Sequence, residues 1–121
     1  MDSALIRKEL EERTKRFALD VIALAASLPS NRAADILARQ LLRSGTSIGA
    51  KYREANRAFS HDDFIHKLSI CEKEAAESEY WLELLGEAGI GDAEGSEKLR
   101  LEVNELLRIF VASGRTAKSR R

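Results

Sequence analysis

The 121 residues contain one cysteine, one proline and two histidines, and each scarcity excludes something. The lone Cys71 leaves no intramolecular disulfide framework and no cysteine-built zinc site, so a reducing cytoplasm is the expected compartment. No run approaches the ~18 uncharged apolar residues of a membrane span, so no membrane association is expected. The opening MDSALIRKELEERTKRF is charged throughout, unlike a secretory signal. No segment alternates with period two, which argues against strands. P-loop, GxGxxG and HExxH patterns are missing. His61 and His66 point about 140° apart on a helix, and no Glu-x-x-His pair accompanies Glu72, Glu79 and Glu83. Ser44, Ser47 and Ser60 have no histidine placed by a recognisable motif. The expectation is therefore no enzyme, no metal and no cofactor.

What the chain does have is helical periodicity in four segments. Helix one steps through Leu10, Thr14, Phe17, Val21, Leu24 and Leu28. Helix two steps through Ala38, Leu41, Gly45, Ile48, Tyr52, Ala55 and Phe59. Helix three follows Phe64, Leu68, Cys71, Ala75, Ser78, Leu82 and Leu85, and helix four Leu99, Val103, Leu106 and Phe110. Pro29 closes the first helix and Ser30 is positioned to cap the second. SHDD at 60–63 supplies a cap serine and first-turn acids for the third. The turn-rich GEAGIGDAEGS at 86–96 ends it, and Gly114 is the expected stop of the fourth. The spacing predicts helices over about 3–28, 31–58, 61–88 and 95–113, with residues 114–121 a basic, disordered tail. Short connections make successive helices antiparallel neighbours, so the fold expected is an all-α, up-down-up-down four-helix bundle.

Gly45 and Gly49 interrupt helix two in LLRSGTSIGAKYREA, where each glycine costs roughly 1 kcal/mol against alanine. Gly45 lies on the apolar stripe, so a close helix approach is the expected return, with Phe17, Trp81 or Phe110 a candidate to fill the gap. A hinge or a subunit contact would use the same bare patch.

Charge cancels overall, twenty basic residues against twenty acidic, but not locally. Residues 31–57 hold six Lys/Arg against two acids, and residues 61–90 hold two lysines against eight acids. On a helical wheel Arg32, Arg39, Arg43, Arg53 and Arg57 fall within about 40° of one line, opposite the core stripe. That row runs roughly 37 Å at 1.5 Å per residue. Guanidinium forks suit phosphate oxygens, and such a row can track a nucleic-acid backbone, with Arg115, Lys118, Arg120 and Arg121 adding contacts from the tail. A solvated face pairing with the acids of helix three, such as Glu77 and Glu83, is the competing reading. Tyr80, Trp81 and Leu84 fall at the margin of their stripe and suggest a buried surface between identical subunits.

Residues 39–85, RQLLRSGTSIGAKYREANRAFSHDDFIHKLSICEKEAAESEYWLELL, closely resemble the bacterial 23S rRNA intervening-sequence proteins. The carriers are Ser44, SIG at 47–49, Glu54-Ala55, Phe64 and the KEAAES-x-YWLELL block, with FALDVIALAASLP at 17–29 similar to that family's first helix. Lys51 stands where asparagine is usual, so no role is carried to it. The resemblance implies a four-helix bundle assembling as a ring-like homo-oligomer, a pentamer, with no catalytic site. A related accessory protein of diversity-generating retroelements binds a reverse transcriptase and nucleic acid. Two functions follow as expectations: an oligomeric bundle that binds rRNA or other nucleic acid through its arginine face, or a scaffold that recruits a protein partner such as a reverse transcriptase.

Overall fold

The computed structural model describes residues 3–121. Four helices account for nearly all of them: α1 Ser3–Ser27, α2 Arg32–Ala55, α3 His61–Glu87 and α4 Ala93–Ser119. No strand occurs among the described residues.

Local chemistry sets the ends. Asn31, rather than Ser30, caps α2, its side chain accepting from the Ala34 N–H at 2.9 Å. Ser60 caps α3 by accepting from the Asp63 N–H at 3.0 Å, as the SHDD signature predicts. Beyond α3 the chain turns on Gly89 (φ 67°), where Ile90 N–H reaches Leu85 C=O and Gly89 N–H reaches Gly86 C=O. These two bonds form the glycine-dependent helix stop that satisfies the last carbonyls. Asp92 then caps α4.

Gly114 does not end α4, and residues 114–119 are helical rather than disordered. The reason is packing. Gly114 is buried, with Glu72 Oε1 of α3 only 3.2 Å from where a Cβ would sit. One turn on, Ala117 is buried and its carbonyl accepts from His61 Nε2 at 2.7 Å. A glycine ends a helix when the backbone needs φ > 0; Gly114 is not among the positive-φ glycines, so the helix runs on.

Cross-helix pairs show the antiparallel order. Glu11 meets Arg53 while Val21 meets Gly45; Ile48 meets Cys71 while Ser44 meets Ser78; Glu72 meets Gly114 while Glu79 meets Arg100. Each helix thus packs on its sequence neighbour, and α4 returns to α1 through the thinnest seam. There Arg13 donates from Nε and Nη2 to the Glu102 carboxylate, both at 2.8 Å, and pairs with Glu105 at 3.1 Å.

The expected stripes form the core, with Phe17, Leu41, Ile48, Leu82, Leu106 and Phe110 among its fully buried members. Each such side chain contributes roughly 1.5–3 kcal/mol by leaving water. Four stripe positions depart from expectation, Leu28 and Ala38 being only partly buried. Phe64 is only partly buried, its place at the start of α3 being taken by Ile65. Phe59 lies outside α2 and is fully exposed, because the helix ends at Ala55 and the chain leaves the core before reaching it.

The two glycines meet α1. A Cβ on Gly45 would lie 3.0 Å from both Val21 methyls, and one on Gly49 would lie 3.1 Å from Thr14 Oγ1. Compact β-branched residues, not the rings of Phe17, Trp81 or Phe110, fill the patch. The α1–α2 seam therefore closes more tightly than side chains on both helices would permit.

Candidate nucleic-acid interface

Four of the five arginines lie on α2, but the bundle treats the row unevenly. Arg43 is pulled toward α3, pairing with Glu77 at 2.5 Å and with the largely buried Glu74 at 3.4 Å. The Glu77 hydrogen bond is the main cause of its raised pKa. Arg53 leans the other way, toward Glu11 of α1 at 3.8 Å. Arg32, Arg39 and Arg57 are exposed and form no ion pair among the described residues. The row is thus split into two tethered and three free cations. Its last member, Arg57, lies in the turn beyond α2.

The C-terminal cations sit on and just beyond the end of α4. Arg115 and Lys118 are exposed on α4, Arg120 caps it, and Arg121 pairs with Asp62 at 3.3 Å. Arg115, Lys118 and Arg120 have no carboxylate partner among the described residues. Antiparallel packing brings this end of α4 beside the end of α2 and the start of α1. Between them lies a concavity of about 760 Å³ whose wall includes Arg7, Tyr52, Asn56, His61, Phe64 and Arg120. Burial raises the Tyr52 pKa, so its hydroxyl remains neutral there.

The lengthwise distribution is sharper than the facial one. From Leu107 to Arg121 there are five basic residues and no acid; from Glu74 to Glu87 there are five acids and no base. Because α3 and α4 are antiparallel, these runs lie at opposite ends of the bundle. A neutral chain becomes an axial dipole.

The predicted subunit patch is mixed in exposure. Tyr80 is 53% exposed, Leu84 is half-buried, and Trp81 packs partly against the core with its ring 5.2 Å from that of Tyr80. Trp81 Nε1 is buried without a hydrogen-bond partner. Ile36 of α2, also exposed, adds to the apolar residues on the α2–α3 side.

Other groups weighed from sequence have structural roles. Burial pushes the Cys71 thiol up to about 12, so it stays protonated at neutral pH. Glu79 pairs with Arg100 at 3.5 Å and accepts from Asn104 at 2.9 Å, apart from Glu72 beside Gly114. Among the described residues no group of three His, Cys, Asp or Glu is placed to hold a metal ion. Likewise, no described helix is long and apolar enough to cross a membrane.

Comparison with known proteins places this geometry. The family described as 23S rRNA-intervening sequence protein matches residues 8–112. A crystal structure of a protein of unknown function from the S23 ribosomal protein family of Bacteroides thetaiotaomicron superposes with a TM-score of 0.82 at 36% identity. That alignment covers 90% of this chain and 97% of the other. No curated protein matches.

Proposed function

The chain belongs to the family of 23S rRNA-intervening sequence proteins, and from that premise we propose that it is a non-enzymatic, cytoplasmic, oligomeric bundle that binds RNA or DNA electrostatically. The observation that carries this reading is the set of cations the fold leaves without carboxylate partners among the described residues. Arg32 and Arg39 lie along α2, Arg57 in the turn beyond it, and Arg115, Lys118 and Arg120 at the end of α4. A fold that needed these charges for its own stability would pair them, as it pairs Arg13 and Arg100. Exposed guanidiniums without carboxylate partners are free to meet phosphate oxygens, and displaced counterions supply the affinity.

Mobility-shift titration against structured rRNA and duplex DNA over a range of salt tests the proposal. Binding at micromolar protein or better, weakening linearly in a log–log salt plot, is the expected result. Arg39→Glu with Arg57→Glu should reduce that slope by about one for each phosphate no longer neutralised. Absence of binding at low salt removes the proposal.

A specific observation favours a second reading, the self-assembling scaffold that recruits a protein partner. Exposed Tyr80 and Ile36, with half-buried Leu84, leave apolar surface that a neighbouring copy would cover. Light scattering giving a pentamer that Tyr80→Glu dissociates, together with no nucleic-acid binding, would favour it.

A further inference from the structure

Phe59 is 100% exposed at the basic end of the bundle. It is not displayed on a loose loop. Arg57 and Ala58 N–H groups bond back to Glu54 and Ala55 carbonyls at 3.0 and 3.2 Å. The Phe59 N–H donates to Asp63 Oδ2 at 3.2 Å, and Ser60 caps the helix that follows. The turn is pinned on both sides, and the ring is held away from the core.

Its flanking residues Ala58 and Ser60 line the same concavity as Arg7 and Arg120, with Arg57 adjacent in the chain. The nearby acids are occupied: Asp62 by Arg121 at 3.3 Å, Asp63 by Lys67 at 3.7 Å, and Glu54 by Lys51 at 3.2 Å. Arg7, Arg57 and Arg120 have no such partner among the described residues. A bare ring on a turn whose neighbours Ala58 and Ser60 share a concavity with Arg7 and Arg120 suits a polyanion with planar faces better than an apolar protein surface. Charge repulsion also disfavours a second copy of this same end.

We infer that Phe59 is a stacking platform for an unpaired base, with Arg7, Arg57 and Arg120 holding the flanking phosphates of a single-stranded nucleic acid. The inference rests on the nucleic-acid reading above and adds the place and the strand state. Bases in a duplex are already stacked and cannot reach the ring, whereas an extruded or single-stranded base can.

The test is fluorescence anisotropy with a short labelled single-stranded RNA, the same sequence as DNA, and the RNA duplex. Single strands should bind more tightly than the duplex, and comparison of RNA with DNA shows whether the sugar matters. Phe59→Ala, at a site with nothing to unpack, should weaken single-strand binding roughly five- to hundredfold, as one stacked base is worth, and leave duplex binding unchanged. Phe59→Trp in a Trp81→Phe background should keep the affinity, and its emission should be quenched on adding the single strand. If Phe59→Ala binds like the parent while Arg57→Glu binds worse, the stacking inference is overturned and the electrostatic reading stands. Loss of oligomer mass in Phe59→Ala with unchanged RNA binding would make the ring part of a subunit interface and overturn it too. If the parent protein binds no probe at low salt, both readings fall together.

Discussion

Where α3 finishes and α4 begins, the helix ends are closed and the cation Arg100 is paired. Gly89 closes the last turn of α3, Asp92 caps α4, Leu85 is fully buried, and Arg100 binds both Glu97 and Glu79. At the other end Phe59 stands in solvent, Arg57 and Arg120 lack acids among the described residues, and a concavity opens between the helices. One end spends its side chains on folding; the other holds them in reserve. The contrast indicates that net neutrality says little about partners when charge is sorted along the axis.

Substitutions at the sealed end should therefore change stability and spare binding, and those at the open end the reverse. The largest effect is expected from Leu85→Ala, about 2–5 kcal/mol of lost stability by chemical denaturation, with RNA affinity of the folded protein unchanged. Between the ends, Gly45→Val presses on the Val21 methyls and should cost about 1–3 kcal/mol. Reversing Arg57 and Arg120 to Glu together should leave the melting temperature the same or slightly higher, while RNA affinity falls at least tenfold. Arg13→Ala should cost only about 1 kcal/mol or less, since its pair with Glu102 is half-open to solvent.

The smallest effect is a pH response at the sealed end. Arg100 donates to Glu97 and holds its carboxyl below the usual range. That contribution is present above the ordinary carboxylate pKa and is lost as pH falls through the lowered one. Acid titration of thermal stability should show a slight extra decline in the parent that Arg100→Ala lacks.

Much of this fold is legible in the sequence because apolar spacing and helix punctuation agree. Leu10, Thr14, Phe17, Val21 and Leu24 all lie buried where the 4-3 stepping puts them. Phe59 continues that spacing yet escapes the core, since periodicity cannot see that α2 ends four residues earlier. Gly114 misleads in the opposite sense: a glycine near the chain end reads as a stop, and only the packing of Ala117 and its bond to His61 reveal that the helix continues. The arginine row is visible on a helical wheel, but a wheel has no neighbours. It cannot tell that Glu77 and Glu11 tether Arg43 and Arg53, or that the end of α4 shares a concavity with Asn56 and Ala58. The signal for the basic end lies in the unbroken charge runs of α3 and α4, which acquire meaning only through the antiparallel pairing of those two helices.

We propose that the basic end, more than the length of α2, meets nucleic acid. Salt-dependent RNA binding by two charge-reversal variants tests it most directly: Arg57→Glu/Arg115→Glu/Lys118→Glu against Arg32→Glu/Arg39→Glu. The end variant should lose most of the salt slope and at least tenfold in affinity, and the α2 variant should lose much less. Equal binding by the end variant and the parent, with the loss confined to the α2 variant, would contradict the account.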